Sequence, residues 1–185
     1  MKYHVWVRSN PYTKISSSLV YENPWIKVKE DAVTRPDGNH GIFGTVEIGA
    51  GVSVLAIDRG KQVHLIREWK YPLNRYTVEV ISGGVDGDES LEECARRELA
   101  EEAGLTGGTL TDLGWMETIT TIVKAPVRLF LVVDVELGES KPGADEFLEV
   151  VQMPFPEAFE KAMSAEFEHA ATVITILKAA RLLGY

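Results

Sequence analysis

The stretch that most limits how this chain can fold is a helix whose last turns carry carboxylates where a core-facing stripe should be apolar. Residues Glu89 to Ala103 are rich in helix formers, open with acidic residues and stop at Gly104, so the spacing predicts one helix there. With Leu91 at the centre of the buried stripe, helical periodicity brings Cys94, Ala95, Glu98 and Glu102 close to it, with Glu101 at its edge. Glu98 stands i, i+3 to Glu101 and i, i+4 to Glu102, so like charges are neighbours. Such pairs cost an isolated helix about 0.2–0.5 kcal/mol each, and more where burial removes water. A divalent cation would relieve both costs, and oxygen-only ligands suit Mg²⁺ or Mn²⁺ rather than zinc. A solvated acidic face gives the same E-x-x-E-E pattern, and the helix alone does not separate the two readings.

Around this helix the patterning is mostly that of strands. Trp25 to Thr34 alternates by face, Pro36-Asp37-Gly38-Asn39 supplies turn chemistry, and Gly41 to Ile48 returns. Val52 to Ile57 and Val63 to Trp69 read as a second hairpin about Asp58-Arg59-Gly60. Thr77 to Ile81 is a short strand running into Ser82-Gly83-Gly84. Beyond the helix come strands near Leu110 to Thr118 and Val127 to Val135, a loop at Gly138 to Asp145, and two closing helices, Pro154 to Met163 and Phe167 to Leu183. No repeat or linker divides the chain, and 185 residues are ordinary for one α/β domain with mixed strands.

Charge narrows the partners. The net charge is −9, with no Lys/Arg cluster of the kind that binds nucleic acid, so an anionic ligand needs a bound cation or a local basic pocket. Cys94 is the only cysteine; it fits a reducing compartment and sits at a packing position. Residues 1–8 lack the apolar stretch of a signal peptide, and the most apolar run, Leu129 to Val133, is too short to span a bilayer. The expectation is a cytoplasmic protein with neither a membrane nor a nucleic-acid partner.

What surrounds the helix resolves its ambiguity. From Gly83 the sequence reads G-G-V-D-G-D-E-S-L-E-E-C-A-R-R-E-L-A-E-E-A-G-L, ending at Leu105. It resembles the Nudix box (G, five residues, E, seven residues, R-E-U-x-E-E-x-G-U, with U bulky and aliphatic) at Gly83, Glu89, Arg97, Glu98, Leu99, Glu101, Glu102, Gly104 and Leu105. The resemblance implies a Nudix-type α/β/α sandwich with a mixed sheet (α/β, or α+β, in class) and hydrolysis of a nucleoside diphosphate linked to another group. It makes Glu98 and Glu102 the primary metal ligands, with Glu101 assisting and the Ser82 carbonyl completing the shell. It makes Arg97 and Glu89 a structural ion pair. The glycines let the loop approach a phosphate closely.

The likeness extends over most of the chain. Glu22-Asn-Pro-Trp-Ile-Lys-Val28 and Arg35-Pro-Asp-Gly38 resemble the N-terminal hairpin of the ADP-ribose pyrophosphatase branch. Leu65-Ile-Arg-Glu-Trp-Lys-Tyr-Pro72, Val78-Glu79-Val-Ile-Ser-Gly-Gly84 and Glu166-Phe-Glu-His-Ala-Ala-Thr-Val173 resemble three further segments of that branch. Members cleave ADP-ribose or related nucleoside diphosphate sugars and are typically homodimers whose N-terminal strands cross to the partner. The implied division is a dimer-forming antiparallel strand subdomain over 1–48 and a hydrolase domain over 49–185. Three positions depart from the branch. Lys70 replaces an Arg and forgoes its bidentate phosphate contact, Ser82 replaces Ala, and residues 118–126 lack the Ser-Pro-Gly marker of ADP-ribose specificity. These departures favour a broader nucleoside diphosphate sugar hydrolase.

Hydrolysis also needs a group to activate water. In this branch it comes from an acidic loop, here Gly143-Ala-Asp-Glu-Phe-Leu-Glu-Val150, with Glu146 first choice as base or extra metal ligand and Asp145 and Glu149 as alternates. Lys70 and Arg67 are candidates for phosphate contact, Glu79 for the nucleoside, and Trp25 or Trp6 for base stacking. Ordinary packing explains each tryptophan as well. The four histidines, His4, His40, His64 and His169, have no metal-ligand spacing and no assigned role. A nucleoside triphosphate sanitiser and a non-catalytic ligand sensor are the alternative readings; the long N-terminal hairpin counts against the first and the complete box against the second.

Overall fold

A computed structural model describes residues 9–138 and 148–185. The chain separates into two compact units, one of residues up to Ile48 with Ile119–Ala125, the other Gly49–Thr118 with Pro126–Tyr185.

The first unit is a four-stranded sheet. Its strands are β1 (Thr13–Glu22), β2 (Ile26–Thr34), β3 (His40–Ile48) and the two-residue β9 (Val123–Lys124), in the order β1-β2-β3-β9. β2 and β3 pair antiparallel from Ile26–Ile48 to Thr34–His40, about a turn in which Gly38 (φ 86°) donates its N–H to the Arg35 carbonyl at 2.9 Å. β1 adds antiparallel to β2 with two register shifts, and all ten of its residues are exposed.

The second unit is built on β4 (Gly51–Asp58), whose six inner residues are all buried, as a strand covered on both faces requires. Beside it run β5 (Gln62–Lys70), β8 (Leu105–Glu117), β10 (Pro126–Leu137) and β11 (Leu148–Pro154), in the order β11-β5-β4-β10-β8, with β4 and β10 parallel. Helix α1 (Leu91–Ala103) covers one face, where Val52, Val54, Ala56, Ile81 and Phe130 meet Cys94, Ala95 and Leu99. Helices α2 (Phe155–Met163) and α3 (Ala170–Leu183) cover the other, where Leu55, Ile57, Leu65 and Leu131 meet Phe155, Ala158, Ile176 and Ala179. This is an α/β/α arrangement on a mixed sheet, and each large side chain fully buried in it contributes about 1.5–3 kcal/mol.

Three local differences from expectation position the site. The hairpin expected over 52–69 closes at its turn but pairs only through Ala56–His64 and Ile57–Val63 before the strands splay. The single strand expected over 77–81 is two, β6 (Arg75–Glu79) on β5 and β7 (Ile81–Gly84) on β4, filling that splay. They part at Val80, whose N–H leaves the ladder and donates to Thr172 Oγ1 at 3.0 Å. The acidic helix starts at Leu91 rather than Glu89, because Ser90 and Glu93 form a capping box: the Glu93 N–H reaches Ser90 Oγ at 3.2 Å and the Ser90 N–H reaches Glu93 Oε2 at 2.8 Å. Gly104 (φ 64°) ends it in a left-handed cap.

Candidate functional site

Glu89, left outside the helix by the Ser90 cap, is free to face Arg97 one turn and a half along it. Arg97 Nε and Nη2 donate to the two Glu89 oxygens at 3.1 and 2.8 Å, and Nη2 also donates to the Gly84 carbonyl at 2.9 Å. The guanidinium, with help from the Asp86 N–H, holds the Glu89 carboxyl down at about 2. One arginine thus ties the glycine loop to the helix.

The other side of the same guanidinium faces the acidic cluster. Arg97 Nη1 donates to Glu98 Oε1 at 2.8 Å and to Glu101 Oε2 at 3.0 Å. The Glu98 side chain is 11% exposed and lies against the loop so closely that a Cβ on Gly83 would sit 1.8 Å from Oε1. Gly83 therefore makes room for the Glu98 carboxylate, a reason different from the phosphate approach expected of it. Glu102 lies beyond, lining a small cleft with Glu68, Lys70, Glu79, Val80, Ser82 and Ile66. The Ser82 hydroxyl donates to the Val80 carbonyl at 3.1 Å and lies 2.9 Å from Ser53 Oγ, which leaves the main-chain oxygen as the group Ser82 can offer.

The donor set fits a divalent cation. Among the described residues the cluster and cleft bring Glu68, Glu79, Glu98, Glu101 and Glu102 together with Lys70 and Arg97, a carboxylate-rich donor set that suits a hard cation. The missing Cβ at Gly83 is the space that seats one of those carboxylates. Among the described residues no three such groups have already converged on a common metal position, and Arg97 is the cation that Glu98 and Glu101 share.

Strand alternation sorts the remaining candidates. Glu68 and Lys70 on β5, with Arg75, Thr77 and Glu79 opposite them on β6, occupy one face of the hairpin. Lys70 pairs with Glu68, and its Nζ lies 3.5 Å from Glu79 Oε2. Burial works against the Lys70 ammonium, but the Glu68 hydrogen bond and the Glu79 charge outweigh it and raise its pKa above the ordinary lysine value. Arg67 is on the opposite face, stacked 4.1 Å over the Tyr76 ring and paired with Glu149 of β11 at 2.9 Å, so it stands apart from Lys70. Trp25 lies in the first unit with its side chain exposed. Glu146, Asp145, Trp6 and His4 lie outside the described residues. Cys94 is fully buried; its thiol donates to the Gly84 carbonyl at 3.2 Å, and burial pushes its pKa up to about 12.

Two residues escaped the sequence reading. Glu68 was findable, since it is two residues before Lys70 on an alternating strand and must share its face. His169, given no role, is the residue before α3; its Nδ1 lies 3.3 Å from Glu79 Oε2 and 3.0 Å from Thr172 Oγ1. Nothing local in the sequence marks that contact, which joins residues ninety positions apart.

Comparison with known proteins follows the same lines. The NUDIX domain matches residues 47–173, and the nucleoside diphosphate sugar hydrolase N-terminal domain matches residues 12–46. The chain is similar to an ADP-ribose pyrophosphatase of Bacillus subtilis (strain 168), 27% identical over 164 residues, 88% of this chain and 89% of that one. It is also similar to a GDP-mannose pyrophosphatase of Cronobacter sakazakii, 30% identical over 138 residues, 69% of this chain and 72% of that one. The crystal structure of an ADP compounds hydrolase matches with a TM-score of 0.83 over 94% of each chain at 22% identity, and so has the same fold. With a domain match spanning more than half its length, and with glycine loop, acidic helix and capping glycine all in place, the chain belongs to the Nudix hydrolase family.

Proposed function

We propose that this enzyme hydrolyses the diphosphate bond of nucleoside diphosphate sugars of the ADP-ribose or GDP-mannose kind, giving a nucleoside monophosphate and a sugar phosphate. The observation that carries this reading is the acidic end of α1 seated on the glycine loop, next to a cleft lined by Lys70. The kinship supports the substrate class, because the named relatives act on two different nucleoside diphosphate sugars and the N-terminal match is to a domain of hydrolases of such sugars.

Nudix hydrolases generally use divalent metal ions. We assign Mg²⁺, with Mn²⁺ as a substitute, to Glu98, Glu102 and the Ser82 main-chain oxygen, with Glu101 assisting. When bound, the ion neutralises the diphosphate and acidifies water. Glu102 lines the cleft, and we assign it, with Glu101, to the catalytic group that would orient the attacking water. Glu146 is assigned as general base or further ligand, with Asp145 and Glu149 as alternates. Lys70 contacts the diphosphate and Glu79 the nucleoside side of the substrate, while Arg67 and Trp25 serve its outer parts. Arg97, Glu89, Gly83 and Gly104 hold the loop and helix in register. Residues 1–48 form the strand subdomain through which two copies pair as a homodimer, and the enzyme works in the cytoplasm.

Incubating the chain with GDP-mannose, ADP-ribose and dGTP, with and without added Mg²⁺, tests the reading. The expected result is Mg²⁺-dependent appearance of paired monophosphates from one or both sugars and much less from dGTP. Preferential release of pyrophosphate from dGTP would favour triphosphate sanitising, and tight binding of ADP-ribose without turnover would favour a sensor.

A further inference from the structure

The segment leading into α3 is docked on the charged face of the β5–β6 hairpin at two points. Arg75 pairs with Glu168 at 2.5 Å, and His169 meets Glu79. Glu79 is nearly buried, at 9% exposure, and its oxygens are divided among three neighbours. Oε1 accepts from Thr77 Oγ1 at 2.7 Å. Oε2 is approached by both Lys70 Nζ, at 3.5 Å, and His169 Nδ1, at 3.3 Å. Lys70 also holds Glu68, so this ammonium is engaged by two carboxylates before any substrate arrives. Each such bond is one that a diphosphate must displace, and a lysine fully committed to Glu68 and Glu79 would be a poor anion ligand.

His169 Nδ1 has two oxygens beside it, Thr172 Oγ1 at 3.0 Å and Glu79 Oε2 at 3.3 Å. Thr172 Oγ1 accepts from the Val80 N–H at 3.0 Å and lies 3.0 Å from His169 Nδ1. A lone pair on Nδ1 would repel the Glu79 carboxylate at 3.3 Å, whereas an N–H there can be shared between Thr172 Oγ1 and Glu79 Oε2. Burial lowers the His169 pKa, with Lys70 adding to that effect and Glu79 opposing it.

We propose that His169 is a positioning residue for the substrate: its imidazole, with Nδ1 3.3 Å from Glu79 Oε2, competes with Lys70 for that carboxylate and so makes the Lys70 ammonium easier for the diphosphate beside Glu102 to draw away. The groups facing the imidazole are Glu79 of β6, Lys70 of β5 and Thr172 of α3. Without the imidazole, Glu79 would take up Lys70 in full. This role rests on the nucleoside diphosphate sugar reading, and it concerns binding more than the chemical step.

Steady-state kinetics of the full chain with Mg²⁺ and whichever of ADP-ribose or GDP-mannose the wild type turns over tests it, with His169→Ala and His169→Asn alongside. Asparagine can return an N–H near the position of Nδ1. His169→Ala should raise KM about tenfold while moving kcat by less than about threefold, and His169→Asn should restore KM to within about threefold of wild type. An unchanged KM in His169→Ala would overturn the proposal. So would an equal loss of kcat in the alanine and asparagine variants with KM unmoved, the mark of a merely structural residue. Turnover of neither sugar by the wild-type chain would instead refute the functional reading itself.

Discussion

Placing a single methyl group on Gly83 separates what Glu98 does for folding from what it does for a metal. A Cβ there would lie 1.8 Å from Glu98 Oε1, 2.1 Å from its Cδ and 2.7 Å from Oε2. Ordinary contact begins near 3.4 Å, so Oε1 must retreat by about 1.6 Å, the difference between 3.4 and 1.8. Metal–ligand distances tolerate only about 0.2 Å, so the retreat removes Glu98 from the ligand set. A misplacement of that order costs about a hundredfold or more in kcat. The folding cost is smaller. Gly83 has no positive φ, so alanine adds no backbone strain there, and the side chain that must move is flexible at its end. Among the contacts at stake is the Arg97 Nη1 bond at 2.8 Å, and Arg97 keeps Glu89, Glu101 and the Gly84 carbonyl. A charge-assisted bond contributes about 1.5–3 kcal/mol in full, so with Arg97 still anchored the loss is about 1–2 kcal/mol. For a chain of this length that is about 2–8 °C in Tm. Thermal unfolding and kcat measured against Mg²⁺ concentration check both numbers. Turnover within threefold of wild type at an unchanged Mg²⁺ requirement would refute the reasoning, and so would a variant that fails to fold.

Other perturbations follow from the same contacts. Glu89 has a folded-state pKa of about 2 against an ordinary value of 4.5, so its contribution to stability is present above pH 4.5 and is lost as pH falls through 2. Glu89→Gln should be less stable than wild type at pH 7 and lose less stability between pH 4.5 and 2, and parallel Tm-versus-pH curves would contradict this. The Cys94 thiol, buried with its pKa near 12, should react with a thiol reagent only on unfolding; rapid labelling of the native protein would show that the core opens there. Glu146→Gln should lower kcat about a hundredfold or more while KM stays within a few-fold, and near-wild-type turnover would remove Glu146 from the mechanism.

The parts of the fold that were legible are those whose sequence signals are local. The helix, its glycine stop and the strands on either side announce themselves by spacing, and helical periodicity alone sets Glu98 close to the buried stripe. β1 was missed because an edge strand with all ten residues exposed has no apolar face to alternate. β11 was missed because its acidic and apolar residues read as part of the loop before it. The break at Val80 depends on a hydroxyl 92 residues away, and no local pattern encodes a partner at that distance. The site divides in the same way. Arg97 and Glu89 lie in the one short segment that carries the Nudix resemblance, and that resemblance implied their pairing. The Glu79–His169 contact and the packing of Glu98 on Gly83 arise only when separate elements are laid together, so neither is legible in the sequence.

The acidic end of α1 is a metal site only if it holds a divalent cation in solution. Titrating Mn²⁺ into the metal-free wild-type chain and into Glu98→Gln and Glu102→Gln, with the unbound ion followed by its electron paramagnetic resonance signal, addresses this without reference to any substrate. The wild type should take up Mn²⁺ with an affinity that each substitution weakens by at least about tenfold. Equal binding by all three chains would place the cation elsewhere and contradict the account.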